Sequence, residues 1–141
     1  MNVIALKNDL NEVTRLADEL QAFADGHGIS QGTLFALNLA LEELVTNIIS
    51  YGFSDAGEHV ISVTLDLDGR TLHVRIEDDA NAFNPLERET PDLDAPLEER
   101  TVGGLGVHLV RKLMDDVRYE RVGARNVLSM RKHMTAGESL T

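Results

Sequence analysis

Thr101-Val-Gly-Gly-Leu-Gly-Val-His-Leu-Val110 is the stretch on which the fold assignment depends. Three glycines, Gly103, Gly104 and Gly106, run into an apolar pattern that is typical of a helix. Glycine lets backbone N–H groups approach a ligand closely, and the first turn of a helix adds unpaired N–H donors and a partial positive charge. Such a turn is suited to binding phosphate, although many glycine-rich turns only connect elements. The stretch therefore indicates a phosphate site if other nucleotide-binding motifs accompany it.

A second motif, Glu43-Leu-Val-Thr-Asn47, lies on a predicted helix. Glu43 and Asn47 are four residues apart, so their side chains share one helix face. A carboxylate can accept the proton of an attacking hydroxyl, and a carboxamide oxygen is a suitable ligand for Mg²⁺. The alternative is a pair of solvated surface residues. The apolar residues around the pair, such as Leu44 and Ile48, weaken that alternative because an unpaired polar group among them would be costly.

A third motif, Asp78-Asp-Ala-Asn-Ala-Phe-Asn-Pro85, follows a predicted strand. A carboxylate at a strand end can accept a hydrogen bond from an exocyclic amine such as that of adenine. The small residues Ala80 and Ala82 would let a flat ring approach. Taken alone, Asp78 would be interpreted as an ordinary turn aspartate. Together, the three motifs predict one nucleotide-binding site.

Composition limits the classes of protein that are compatible with the chain. Its 141 residues, 43% of them hydrophobic, suit one domain with a substantial core. No apolar run reaches the length of a membrane span, and no basic region precedes the short apolar N-terminus, so we expect a cytoplasmic protein. The absence of cysteine excludes disulfides and thiolate metal sites. A net charge of −11, with acidic residues concentrated in 87–99, disfavours nucleic acid as a partner. The charge either reflects solubility alone or suits a protein partner with basic patches.

Hydrophobic periodicity predicts an α+β fold, a two-layer α/β sandwich with a mostly antiparallel sheet and helices on one face. The predicted elements in chain order are an edge strand at 2–6, a helix from Asp9 to the glycines at 26 and 28, a helix at 31–50 capped by Ser30, a hairpin of strands 59–66 and 71–77 with its turn at Asp68-Gly69, a loop at 79–102, a helix at 104–114, and strands at 117–121 and 126–131. The long loop is interpreted as a lid, and the apolar helix at 31–50 is expected to be deeply buried.

The five histidines, His27, His59, His73, His108 and His133, are scattered and none has metal-ligand spacing with another. They are interpreted as structural or surface residues.

In their order along the chain and in their residues, the three motifs resemble those of the GHKL ATPases, the Bergerat-fold family. The resemblance is strongest to its branch of bacterial anti-sigma-factor serine/threonine kinases. Asn126-Val-Leu-Ser-Met-Arg-Lys132 resembles the closing strand of that branch. The resemblance extends over residues 1–133, which would form the ATP-binding kinase domain, and leaves 134–141 as a disordered tail. Two positions depart from the family pattern: Ala80 replaces a glycine and Asn84 replaces an aspartate.

The resemblance implies a role for each motif. Asn47 would bind ATP and coordinate Mg²⁺, Glu43 would act as the catalytic base, and Asp78 would recognise the adenine amine. The glycines at 103, 104 and 106 would contact the phosphates. The remaining residues of the implied ATP-binding set are Ala80, Phe83, Arg100, Leu105, Val107 and Ser129. Within that set Arg100 would meet the terminal phosphate, Ser129 would make a second adenine contact, and Leu105 and Val107 would also serve as packing positions.

The resemblance further implies a cytoplasmic protein kinase that phosphorylates a STAS-domain anti-anti-sigma partner. A sigma factor would be a second partner, and the chain would form a homodimer. Two alternatives stay open: a non-catalytic binding module that ATP gates, and a switch subunit or detached domain of another bacterial signalling pathway. Neither membrane nor nucleic acid is expected as a direct partner.

Overall fold

The computed structural model of the protein describes residues 2–55, 57–87 and 105–134. The predicted α+β class is confirmed. The elements in chain order are β1 (Asn2–Lys7), α1 (Glu12–His27), α2 (Gln31–Tyr51), β2 (Val60–Asp68), β3 (Thr71–Asp78), a 3₁₀ turn (Pro85–Glu87), α3 (Leu105–Leu113), β4 (Asp116–Val122) and β5 (Arg125–His133). Within the described ranges the sheet has five strands in the order β1-β2-β3-β5-β4, and every neighbouring pair is antiparallel.

The hydrophobic core lies between one face of this sheet and the helices. Alternating residues of β2 and β3 point inward, with Val63 and Leu65 facing Ile76 and Val74 across the strand pair. Leu41 of α2 is fully buried against them. The period of two along each strand and the apolar side of each helix therefore determine the two-layer arrangement.

The first helix begins later than its periodicity predicts. The Asp9 side chain accepts a hydrogen bond from the Asn11 N–H at 2.9 Å, and the Asp9 carbonyl accepts one from the Glu12 N–H at 2.9 Å. These bonds form a turn before the helix, and Leu10 is left 55% exposed. The helix ends at Gly28, whose φ of 66° lies in the left-handed region that favours glycine.

The second helix agrees with its predicted bounds and cap, since the Ser30 hydroxyl accepts a hydrogen bond from the Thr33 N–H at 3.2 Å. The expectation of deep burial is correct for only part of the helix, because Phe35 is 67% exposed and Leu39 is 41% exposed. By length and composition α2 is also apolar enough to cross a membrane, contrary to the expectation from the sequence. Six of its side chains instead pack in the core of this domain: Leu34, Leu37, Ala40, Leu41, Leu44 and Val45.

Two further boundaries differ from prediction. Asp68 pairs with Thr71, so the hairpin turn is Gly69–Arg70 rather than Asp68–Gly69, with Gly69 at φ 62°. Met134, the first residue of the predicted disordered tail, is 1% exposed, and its N–H donates to the Arg70 carbonyl at 2.7 Å. Burial of this methionine under the hairpin therefore extends the folded domain beyond residue 133. Residues 135–141 lie outside the described part of the chain.

Candidate functional site

A cavity of about 630 Å³ opens between the C-terminal half of α2, the turn after β3, the first turns of α3, and strands β4 and β5. Five of the predicted site residues line it: Asn47, Asp78, Ala80, Phe83 and Val107. Their motifs are separate in sequence, and the fold brings them to one place. The volume is within the range of small-molecule and cofactor sites.

Glu43 lies one turn before Asn47 on α2 and is half-buried. It is not among the residues that line the cavity. Helix α2 packs along α3, and Glu43 lies one turn from the cavity-lining residue Asn47. Its position is therefore adjacent to the site without being part of the pocket wall.

The glycine-rich stretch is only partly within the described residues. The described part of helix α3 is Leu105–Leu113, and the predicted first residue, Gly104, lies outside the described residues. Arg100, Gly103 and Gly104 lie outside the described residues, as does most of the loop interpreted as a lid. The backbone of Leu105 and Gly106 forms the first turn of α3. The assigned phosphate contacts of this stretch stay predictions.

The structure does not support the adenine contact expected of Ser129. Leu128 lines the cavity and Met130 lies in the core, so Ser129, between them on β5, points to the opposite face of the sheet. There it is paired in register with Arg75 and Arg118. The inward position next to Asp78 belongs to Asn126, which the sequence reasoning missed. Its signal in the sequence is weak: one amide at an inward position of a strand whose next inward residues are apolar.

Asp78 is the buried charged group of the cavity, 3% exposed. Its Oδ1 atom accepts hydrogen bonds from the Ala80 N–H at 3.0 Å and from Asn126 Nδ2 at 2.9 Å. Burial raises the pKa of Asp78 above its ordinary value, and these two hydrogen bonds oppose that rise. The arrangement suits a carboxylate that recognises a donor from a ligand.

Ala80, where the family pattern has glycine, is accommodated without backbone strain. Within the described residues no residue other than glycine has a positive φ, so Ala80 adopts an ordinary conformation. Space for its methyl group comes from Gly52 at the end of α2, where an added Cβ would lie 2.9 Å from the Ala80 Cβ and 2.6 Å from the Ile48 carbonyl oxygen. The Asn81 N–H also donates to the Gly52 carbonyl at 2.9 Å. The end of α2 and the turn after β3 are thus packed as one unit.

His59 links the same two segments by a pair of ion pairs. Its Nε2 lies 2.9 Å from Asp55 Oδ1 and its Nδ1 lies 3.1 Å from Asp79 Oδ1. The ring stacks on Phe53 with centroids 4.2 Å apart. Hydrogen bonds to Asp55 and then to Asp79 raise the pKa of His59, and the same contact lowers the pKa of Asp55. His59 is a structural residue, in agreement with the interpretation from the sequence.

The ion pairs of His59 with Asp55 and Asp79 predict a pH-dependent contribution to stability. Because the folded-state pKa of His59 is raised, the stabilisation is fully present below the unfolded value of about 6.5 and is lost as pH rises through the folded value. We expect the free energy of unfolding of the wild type to exceed that of His59→Gln by more at pH 5.5 than at pH 9. Urea denaturation of both proteins at the two pH values measures this. An equal difference at both would contradict the ion-pair account and leave only the loss of ring stacking.

A scan against family models matches residues 6–132 to the histidine kinase-like ATPase domain. The chain belongs to that family. The predicted resemblance to the GHKL ATPases is therefore confirmed, and the match extends over nearly the whole described fold.

Curated relatives point to one branch of this ATPase family. The chain is 30% identical over 99 residues to the serine/threonine-protein kinase BtrW of Bordetella bronchiseptica, covering 70% of each chain. It is 25% identical over 108 residues to the anti-sigma F factor of Anoxybacillus flavithermus, covering 76% of this chain and 74% of that one. It is 29% identical over 103 residues to the serine-protein kinase RsbW of Listeria monocytogenes, covering 70% of this chain and 66% of that one. The predicted class, a protein serine/threonine kinase, is confirmed by these relatives.

Solved structures support the fold. The RsbU and RsbW domains of a Mycobacterium tuberculosis protein superpose with a TM-score of 0.61 at 13% identity, over 94% of this chain and 32% of that one. A blue-light activated histidine kinase of Erythrobacter litoralis gives a TM-score of 0.60 at 22% identity, over 91% of this chain and 42% of that one. The ATPase-domain chain spans less than half of either structure, so these likenesses concern the fold alone.

Proposed function

We propose that this protein binds Mg²⁺–ATP in the cavity beside α2 and transfers the terminal phosphoryl group to a serine or threonine of a STAS-domain anti-anti-sigma partner. The observation that carries the proposal is that Asn47 and Asp78, from two motifs far apart in the chain, line one cavity together. A sigma factor is the second partner in this proposal. Phosphorylation of the first partner would then change which protein the kinase holds.

The cavity fits an adenine ring. Its walls are mostly apolar, with Ile48, Ile76 and Val107 available to pack on a flat ring. The buried Asp78 carboxylate also lines the cavity, and its Oδ2 atom makes no hydrogen bond to any described residue. A buried acceptor without a partner is unfavourable, so a ligand amine at this point would gain a hydrogen bond that the protein alone does not supply.

The other end of the cavity fits the phosphates and their metal ion. Asn47 offers a neutral carboxamide oxygen, a ligand type that Mg²⁺ accepts alongside phosphate and water oxygens. Mg²⁺, when bound, neutralises charge on the phosphates. Arg100 and the glycines at 103, 104 and 106 are proposed to complete the phosphate contacts from the N-terminal end of α3.

Glu43 is proposed as the base. It is four residues from Asn47 on the same face of α2, so it lies beside the phosphate end rather than the adenine end of the cavity. Its carboxylate would orient the substrate hydroxyl and accept its proton while the oxygen attacks the phosphorus atom. Most of the rate enhancement in such a reaction comes from positioning and charge neutralisation, and the base contributes in addition.

The names of the relatives support the proposed partners. They include one anti-sigma factor and two protein kinases of serine or serine/threonine specificity, each matched over about two thirds or more of its length. The proposal includes a homodimer and a cytoplasmic location, where ATP and bacterial sigma factors are found. The net charge of −11 suits partners with basic patches rather than nucleic acid.

Calorimetric titration with ATP, in the presence and absence of Mg²⁺, tests whether the protein binds the nucleotide and its metal ion as proposed. We expect Asn47→Ala to weaken ATP binding by about tenfold or more in the presence of Mg²⁺, and to have little effect when the metal is chelated. Asn38→Ala on the same helix, at a position that does not line the cavity, is the matched control. Equal affinities of wild type and Asn47→Ala with Mg²⁺ would remove the metal role.

Transfer of radiolabelled phosphate from ATP to purified STAS-domain proteins of the same organism tests the proposed kinase activity. Label on a serine or threonine of the partner is the expected result. Tight ATP binding with no transfer to any of them would favour the ATP-gated binding module instead. Transfer to a protein outside sigma-factor control would favour the switch subunit of another pathway.

A further inference from the structure

Asn126 is a buried polar residue that the reaction as proposed does not use. It lies on the inward face of β5, directly across the strand pair from Asp78, and is 6% exposed. It also lines the cavity. A buried amide requires partners for both its nitrogen and its oxygen, and these partners show what it holds in place.

The nitrogen of the amide faces acceptors. Asn126 Nδ2 donates to Asp78 Oδ1 at 2.9 Å, to the Asn81 carbonyl at 3.0 Å and to the Ala80 carbonyl at 3.3 Å. One side chain therefore contacts the Asp78 carboxylate and two carbonyl groups, those of Ala80 and Asn81, in the turn after β3. The turn and the carboxylate are fixed relative to each other.

The oxygen of the amide faces donors. Asn126 Oδ1 accepts from the Tyr119 hydroxyl at 2.5 Å, from Arg121 Nη1 at 3.1 Å and from the Phe83 N–H at 3.4 Å. Arg121 Nη1 also donates to the Ala80 carbonyl at 2.9 Å. Because donors surround one end of the amide and acceptors the other, its orientation is determined by the network. The reverse orientation would place like groups against each other.

The two carboxylate oxygens of Asp78 therefore differ in their hydrogen bonding. Both hydrogen bonds from described residues, those of Asn126 and of the Ala80 N–H, go to Oδ1. None of the described residues donates to Oδ2. The carboxylate is thus held by one oxygen, and the other is left for a ligand in the cavity that Asp78 lines.

We propose that Asn126 is a positioning residue for nucleobase recognition: it fixes Oδ1 of Asp78 so that Oδ2 is available, as an acceptor, to the exocyclic amine of adenine. This inference rests on the proposed function, in which the cavity binds ATP. It adds the reason for base selectivity in this chain. An acceptor held at this point favours adenine over guanine, because guanine carries a keto oxygen where adenine carries its amine.

The amide has a second effect, on the charge of Asp78. Burial favours the protonated form of this carboxyl, and the Asn126 hydrogen bond favours the ionised form that can only accept. The other groups near Asp78 are Arg121 of β4, which lowers its pKa, and Asp79, which raises it. Two tyrosines, Tyr51 and Tyr119, also line the cavity.

The test compares wild type with Asn126→Leu and Asn126→Asp by calorimetric titration with Mg²⁺–ATP from pH 6 to pH 8.5. We expect Asn126→Leu to lose about tenfold or more in affinity, with the larger loss toward low pH, because burial without the amide favours the protonated form of Asp78. Asn126→Asp is expected to change in the opposite direction. A protonated carboxyl at position 126 still donates to Asp78 at low pH, whereas two carboxylates repel at high pH. Phosphate ionisation is common to all titrations and cancels in the ratios to wild type.

A control and an independent readout separate this inference from the proposed function. Ser129→Ala, on the same strand but the opposite face, is expected to leave affinity and its pH profile unchanged. Carbon-13 NMR titration of the Asp78 carboxyl without nucleotide should show a higher pKa in Asn126→Leu than in wild type. An unchanged pKa, or equal losses of affinity at every pH in both variants, would overturn the positioning role. Failure of the wild type to bind ATP, with the pKa difference present, would instead overturn the proposed function.

Discussion

Replacing Glu43 by glutamine is expected to lower the rate of phosphoryl transfer by about two orders of magnitude or more while ATP binding is retained. Glutamine keeps the size of the side chain but cannot accept the hydroxyl proton. Because Glu43 is half-buried beside the cavity and does not line it, the adenine contacts stay intact. Single-turnover transfer from radiolabelled ATP to the partner, together with calorimetric ATP affinity, measures both quantities.

The neighbouring residue provides a matched control for this experiment. Glu42 is exposed and points away from the face that carries Glu43 and Asn47, so Glu42→Gln has the same chemistry at a position without the proposed role. Transfer by Glu42→Gln should equal that of wild type. If Glu43→Gln also transfers at the wild-type rate, Glu43 is not the base.

Replacing Asp78 by asparagine is expected to weaken ATP binding by about 100-fold or more and to remove the preference for ATP over GTP. The fold should tolerate the change, because the amide oxygen of asparagine can still accept from Asn126 Nδ2 and from the Ala80 N–H in place of Oδ1. What is lost is the second acceptor, which is proposed to bind the adenine amine. An NH₂ group there would face the amine with another donor.

Calorimetric titration with ATP and with GTP measures this effect, and thermal denaturation shows whether the variant is folded. Asp68→Asn at the far end of the β2–β3 hairpin removes a carboxylate that does not line the nucleotide cavity and serves as the control. ATP affinity within a factor of about three of wild type in Asp78→Asn would be incompatible with a hydrogen bond of this strength.

Much of the fold could be predicted because its signals are local. The Ser30 cap, the glycine that ends α1 and the alternation of β2 and β3 each depend on residues within a few positions of one another. The errors arose where a distant partner decides. Met134 is buried because it pairs with the hairpin turn at Arg70, and no local pattern marks that contact.

In the candidate site, too, some residues could be predicted from local sequence and others depend on how distant strands pair. The helix face that carries Glu43 and Asn47 follows from their spacing alone, and Asp78 follows from its place at the end of a strand. Ser129 and Asn126 differ because the inward phase of β5 depends on its register with β3. A shift of one residue in that register exchanges the two faces of the strand. The amide next to Asp78 was therefore not identifiable before the strands were paired.

The exposed apolar residues of α2 mark the limit of reasoning from composition. Phe35 and Leu39 belong to an apolar stretch that predicts burial, yet both are exposed on the outer side of the helix. The sheet covers one side of α2, while α1 and α3 pack along it elsewhere. Which part of an apolar helix is left uncovered depends on the number and placement of its neighbours, and a single helix sequence does not contain that information.

A structure of the protein with Mg²⁺ and a non-hydrolysable ATP analogue tests the central claim most directly. The account predicts adenine in the cavity with its amine about 3 Å from Asp78 Oδ2, and Asn47 at the phosphate end. Nucleotide bound elsewhere on the protein, or adenine in the cavity with its amine turned away from Asp78, would contradict it.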